Sequence, residues 1–188
     1  MVKYSSLTEV QNLHIYHVVR EDKRQYDIDE IISAPFKEKR DFSHWPSYKQ
    51  RAEALLEEER LNNYPDLPSR EDCLFACLDE ESALNWAKDS YRDRGIFYLY
   101  EMEVIEGKII NLDPEFFEEI CALLSEGQIP IINRYALEEC VKNYWTGQSF
   151  RSNEYALKEM LIYGEVKVLS KTKLIYDKGK IYLSPNIK

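Results

Sequence analysis

An α+β domain is the fold class this sequence predicts, and three observations carry the prediction. Strand-like and helix-like segments alternate without a regular βαβ rhythm. The C-terminal stretch is rich in strands. No glycine-rich nucleotide loop occurs: the six glycines are scattered singly, with neither G-x-G-x-x-G nor a P-loop. At 188 residues, 44% hydrophobic and 31% charged, the chain is expected to form one globular domain over residues 1–188.

The elements follow in order. LHIYHVV, residues 13–19, is β-branched and aromatic and reads as the first core strand. DIDEIIS reads as a short helix stopped by Pro35, and residues 37–46 as a loop. YKQRAEALLEEERLNN has helical spacing through Ala54, Leu55 and Leu61, with its charge run on a solvated face. NYPDLPSRED is a proline-broken connection. DCLFACL reads as a short buried strand, and DEESALNWAKDSYRDRG as a helix stopped near Gly95. IFYLYEMEV is a strand, with a turn at EGK before IINL. Asp113 is placed to cap PEFFEEICALLSEG, and RYALEECVKNYW and SNEYALKEM read as further helices. GEVKVLSK, TKLIYD and KIYLS close the chain as strands, the last two joined at Lys178-Gly179 as a hairpin.

Composition excludes several function classes. A net charge of −9 and a pI of about 5.0 argue against a duplex-binding protein, whose affinity comes largely from neutralising phosphates. The cluster Lys37, Lys39 and Arg40 is read as a solvated loop. Cys73 and Cys77 stand at C-x3-C with no second pair, which is poor zinc spacing. With Cys121 and Cys140 they are expected to be buried, reduced thiols. No apolar stretch approaches the roughly 20 residues that span a bilayer. The N-terminus lacks the pattern of a signal peptide, so a cytoplasmic protein without membrane partners is expected.

Chemistry could rest on few residues. His17 shares a strand face with Ile15 and Val19, opposite His14 and Tyr16. His14, His17 and His44 lack partners at metal-ligand spacing. Glu159 opens the run EMLIYGEVKVL, in which Gly164 interrupts apolar residues. It is either a solvated helix-end carboxylate or an acid held at a strand edge.

Taken in order, IYHVV, LFACLDEESALNWA, FYLYEMEV and KEMLIYGEVKVL resemble the successive motifs of the ADP-ribosyltransferase superfamily, over nearly the whole chain. The histidine-type branch, and its bacterial nucleic-acid-modifying toxins in particular, is the most similar. The resemblance implies a split antiparallel sheet with flanking helices, NAD as co-substrate, and transfer of ADP-ribose to a nucleic acid or protein. It implies a transferase of toxin or defence type, with an antitoxin protein as partner.

Residue by residue, the resemblance makes His17 the ribose ligand and Glu159 the acid that stabilises the departing sugar cation. Ser82 would hold the nicotinamide carboxamide and Trp86 would pack against its ring. Leu74 stands where the family's tyrosine would be, with Phe75 beside it, and this departure leaves activity open. Leu157, two residues before Glu159, argues against arginine as acceptor. Tyr144 and Trp145 would form a stacking platform in the substrate loop, or else close a helix onto the core. Arg151 would contact a phosphate. Glu154 is the competing acid. Two other readings stand beside the enzyme: a binding protein of the same fold without catalysis, and an acidic interaction or immunity protein steered by its charge.

Overall fold

The computed structural model of the protein describes residues 7–36, 45–90, 94–125, 131–150 and 159–183. The chain is α+β, as expected. Its elements are β1 (Thr8–Val10), β2 (Leu13–Arg20), β3 (Ile31–Ser33), α1 (Ser47–Asn63), β4 (Leu74–Ala76), α2 (Glu80–Ser90), β5 (Arg94–Leu112), α3 (Pro114–Ser125), α4 (Ile131–Tyr144), β6 (Glu159–Asp177) and β7 (Lys180–Leu183). A 3-10 turn covers Arg70–Asp72. The strands are hydrogen-bonded in the order β1-β5-β6-β3, with β2 also on β5, and β4 and β7 also on β6. The pairs β2/β5, β3/β6 and β6/β7 are antiparallel.

The chain forms two compact units, each assembled from three stretches. Unit 1 takes residues 1–8, 35–74 and 109–163; unit 2 takes 9–34, 75–108 and 164–188.

Unit 1 is built on α1, α3 and α4, which pack on one another. Its core includes Leu56, Phe116, Phe117, Ile120, Leu124, Tyr144 and Trp145. Asp113 caps α3 as anticipated: its Oδ1 accepts from the Glu115 N–H at 2.9 Å. Its Oδ2 accepts from the Phe150 N–H at 2.8 Å, so one carboxylate serves a helix start and a distant loop. The expected face of α1 is wrong. Leu61 is exposed, while Ala52, Glu53, Leu56 and Arg60 are buried, so part of the charge run lies inside.

Unit 2 is a sheet with a helix on one face. Strand alternation gives β2 and β5 two distinct faces, because His17 lies opposite Tyr100 and Val18 opposite Leu99. Val18, Phe97 and Leu99 pack with Ala83 and Ala87 of α2, and with Leu174 and Tyr176 of β6. His17 and Tyr100 therefore belong to the other face.

Four segment boundaries differ from the sequence expectation. DIDEIIS is not a helix; Ile31–Ser33 forms β3, paired with β6, because the edge of that strand satisfies its backbone better than an isolated turn. EGK makes no turn, and β5 runs unbroken through it to Leu112. GEVKVLSK and TKLIYD are likewise one strand, β6, which starts at Glu159. Gly95, the expected helix stop, lies within β5. The Lys178-Gly179 hairpin is as expected, with φ of 48° and 84° at its two central residues, the signature of a type I′ turn.

Gly164 does not interrupt its strand. A Cβ there would overlap the Glu106 carbonyl oxygen and the Gly107 Cα, so glycine is required by the close approach of backbone. Gly164→Ala should destabilise the protein by about 1–3 kcal/mol, since backbone atoms must move. Urea unfolding midpoints measure this; an unchanged midpoint would show that β5 has room to shift.

Candidate functional site

Each unit holds one constellation of side chains with chemical potential. In unit 1 the centre is Arg70, in the 3-10 turn after α1. Its Nε and Nη2 donate to the Glu53 carboxylate at 3.0 and 3.2 Å, and its Nη1 donates to Glu159 Oε1 at 3.0 Å. The Arg70 and Glu53 side chains are 6% and 8% exposed, and Glu159 is 13% exposed. The guanidinium carbon lies 4.9 Å from the Tyr144 ring centroid and 5.0 Å from that of Phe117. Tyr144 Oη also reaches Glu159 Oε1, at 3.4 Å.

Burial on its own would lower the Arg70 pKa, but Glu159 and Glu53 hold it above the ordinary arginine value. The guanidinium is thus a permanent cation. Glu159 is the first residue of β6 and is nearly buried, so it is fixed in direction by a strand and by its bond to Arg70.

A second ion pair lies along α1. Arg60 donates to Glu57 through Nε at 2.9 Å and Nη2 at 2.6 Å, and through Nη1 to the Leu67 carbonyl at 2.8 Å. Ser69 Oγ donates to Glu57 Oε2 at 3.2 Å. These bonds fold the proline-broken connection back onto α1 and so deliver Arg70 to Glu53.

In unit 2 the centre is His17. Its Nδ1 lies 2.6 Å from the Phe75 carbonyl oxygen. A carbonyl only accepts, so Nδ1 carries the proton. The register is set by the Tyr16–Cys77 bridge, closed by two backbone bonds of 2.8 Å. The Tyr26 and Tyr100 rings stand 6.1 and 6.5 Å from the imidazole. Tyr100 Oη accepts from the Tyr26 N–H at 3.2 Å and donates to Gln25 Oε1 at 2.8 Å, which pins the segment after β2 to the His17 face.

The other expected site residues divide. Phe75 contributes through its carbonyl. Leu74, at the position of the family's tyrosine, is buried in β4. Ser82 Oγ donates to Asp79 Oδ2 at 2.8 Å as part of the start of α2. Trp86 is 46% exposed, on a helix that packs against the reverse face of the sheet from His17, so the structure does not bring the two together. Tyr144 and Trp145 are fully buried, and Trp145 Nε1 donates to the Leu56 carbonyl at 2.9 Å. The expected stacking platform is corrected on this point, because neither ring has a face open to a ligand. Arg151, Glu154, Leu157, His44, Lys37, Lys39 and Arg40 lie outside the described residues.

Among the described residues no three His, Cys, Asp or Glu side chains converge to hold a metal ion. Nor is any helix there long and apolar enough to cross a membrane. Cys73, Cys121 and Cys140 are buried and in no disulfide, while Cys77, expected to be buried, is half-buried; burial pushes Cys121 up to about 12 and Cys140 to about 11, far from the thiolate.

Sequence reasoning missed Arg70, Glu53, Tyr26 and Tyr100. Arg70 lies in a polar, proline-rich stretch that carries no periodic signal. Tyr100 had one: it alternates with Tyr98 in FYLY, opposite His17.

A family described as "Protein of unknown function (DUF2441)" matches residues 46–177, well over half of the chain and inclusive of both β4 and Glu159. The chain belongs to this family. No curated protein matches the DUF2441 chain. The matched region contains Glu53, Arg70, Tyr144 and Glu159, but His17 and Tyr26 precede it.

Arg70→Met should cost this DUF2441 protein about 3–5 kcal/mol, because two carboxylates then face each other without a buried counter-charge. Arg70→Lys recovers only part of that, since an ammonium cannot form the fork to Glu53 and reach Glu159 as well. Urea denaturation measures both; a midpoint unchanged in Arg70→Met would show the ion pairs contribute nothing net.

The Glu57 carboxyl is held below its ordinary value chiefly by the Arg60 hydrogen bonds, against the opposing effect of burial. Its stabilising contribution is complete above the unfolded value near 4.5 and is lost as pH falls through the lowered folded value. The stability gap between wild type and Glu57→Gln at pH 7 should therefore narrow below pH 4.5, as read from melts across pH.

Proposed function

We propose that this DUF2441 protein is a cytoplasmic NAD-dependent ADP-ribosyltransferase acting on a nucleic acid or protein acceptor. The observation that supports the reading most is Glu159: a carboxylate at the head of a long strand, bonded to Arg70 and nearly withdrawn from water. That is what cleavage of the nicotinamide–ribose bond requires. As C1–N breaks, both electrons leave with nicotinamide and positive charge develops on the sugar. A prealigned carboxylate stabilises that charge without reorganising, and orients the ribose 2′-hydroxyl. The acceptor's nucleophile then attacks C1 and gives up its proton.

The resemblance gives the role of ribose ligand to His17, whose ring is set in direction by its Nδ1–H bond to the Phe75 carbonyl. The resemblance to nucleic-acid-modifying toxins extends the proposal to a toxin or defence role with a cognate antitoxin protein.

One observation favours a second reading, a binding protein of the same fold without catalysis. Leu74 is buried where the family's tyrosine would stand, and it cannot stack on nicotinamide. Incubation with labelled NAD and candidate acceptors separates the two. Wild type should transfer label, and Glu159→Gln should lose roughly 10²–10³-fold or more of the rate. Equal transfer by both would remove Glu159 from the mechanism, and loss in Glu154→Gln alone would move the acid five residues earlier. NAD-induced thermal stabilisation without transfer would favour the binding protein.

A further inference from the structure

Unit 1 presents a groove of about 510 Å³ between α1 and α4. Its floor is apolar, with Val141 buried and Leu55 and Leu137 half-buried. Its walls carry three cations, Arg51, Arg134 and Lys142, and three carboxylates, Glu58, Glu59 and Glu138. Among the described residues none of the six makes an ion pair. Glu59 accepts from Asn63 Nδ2 at 2.9 Å, which is a neutral donor. Glu138 stands four residues from both Arg134 and Lys142 on α4, yet it meets neither.

Apolar side chains flank the groove as well. Helical spacing sets Ala54 and Leu61 beside Glu58 on the outer edge of α1, and Tyr135 beside Glu138 and Lys142 on that of α4. Leu61 is 58% exposed and Tyr135 71%. α1 is therefore partly inverted: Glu53 and Arg60 are inside, while Ala54 and Leu61 are in solvent. The apolar period that residue order marks on α1 is left partly unused by the fold of one chain.

Charge selects the occupant. The chain carries −9 overall, but the groove carries three charges of each sign. Nucleic acid is repelled by such a chain, and a basic protein is drawn to its acidic surface at large, not to a locally neutral groove. Interleaved charges of both signs are matched by an identical surface across a twofold axis, because residue i then faces j while j faces i. Each unpaired cation can then meet a carboxylate of the other copy, and the exposed apolar rims find the floor.

We propose that the α1/α4 groove is the interface of a twofold homodimer. Arg51, Arg134 and Lys142 of each copy face Glu58, Glu59 and Glu138 of the other, and Leu61 and Tyr135 close over Leu55, Leu137 and Val141. The dimer goes beyond the transferase reading and does not rest on it.

Light scattering on the full chain over a dilution series tests it. Wild type should reach twice 22.3 kDa and dissociate on dilution. Salt should weaken the dimer, because it screens the ion pairs across the interface. Arg134→Glu/Lys142→Glu leaves each groove almost wholly acidic, and Glu58→Lys/Glu138→Lys leaves it almost wholly basic. Each variant alone should dimerise about tenfold or more weakly than wild type, and the two mixed should form a heterodimer. Leu61→Glu should weaken the dimer too. Glu80→Lys/Glu81→Lys, exposed on α2, makes the same change in net charge outside the groove and should not weaken it. Thermal melts confirm that each variant is folded.

A wild type that stays monomeric at every concentration overturns the interface and leaves the groove to a foreign chain. A dimer that both groove variants leave intact overturns it as well, as does equal weakening by Glu80→Lys/Glu81→Lys. Failure of the two mixed variants to associate overturns the charge pairing on which the proposal stands. None of these outcomes involves NAD, so the dimer and the transferase reading fail separately.

Discussion

Glu53, Arg70 and Glu159 share a place from which water is nearly excluded, and most of unit 1 is arranged to make that tolerable. Two carboxylates and one guanidinium would each be costly to bury alone. The fork from Arg70 to Glu53 and the third bond to Glu159 turn those costs into fixed geometry. Phe117 of α3 and Tyr144 of α4 supply ring faces against the cation, so helices and strand converge on one charged group. Glu57 and Arg60 do the preparatory work by folding the connection from α1 back along the helix. The pairs bring specificity of arrangement more than net stability.

The same arrangement gives Glu159 two consequences at once. Arg70 holds its carboxylate in a fixed position, which is the condition for electrostatic stabilisation of a sugar cation. Arg70 also engages that carboxylate structurally, which is the condition for an ordinary buried ion pair. Geometry alone is common to both. What separates them is whether NAD reacts.

Much of the fold was legible because periodic burial writes itself into residue order. The alternation in IYHVV placed His17 on one face with Ile15 and Val19 before any coordinates, and Asp113-Pro114 marked the start of α3. The site was legible only in outline. His17 and Glu159 were singled out through motif order, but Tyr144 and Trp145 stayed open between a platform and the core, since an aromatic at a helix end reads alike whether its ring meets solvent or Leu56. The buried charges of α1 were missed for a related reason. Glutamate and arginine signal exposure on average, and burial depends on a partner that sequence spacing cannot show. Arg70 stands 17 residues from Glu53 and 89 from Glu159.

The sequence by itself determined the α+β class, the helices α1 to α4, the hairpin at Lys178-Gly179 and the two-faced character of β2. Each of these depends on local propensity or on a period that neighbouring residues share. Tertiary structure alone decided that β5 and β6 run unbroken, that Ile31–Ser33 joins a sheet edge, and that Gly164 is needed where backbone passes Glu106 and Gly107. It alone chose the partner of Glu159. Those outcomes turn on which distant groups meet in a dry interior, where an unpaired charge or backbone bond is too costly to leave and the chain must bring its partner to it.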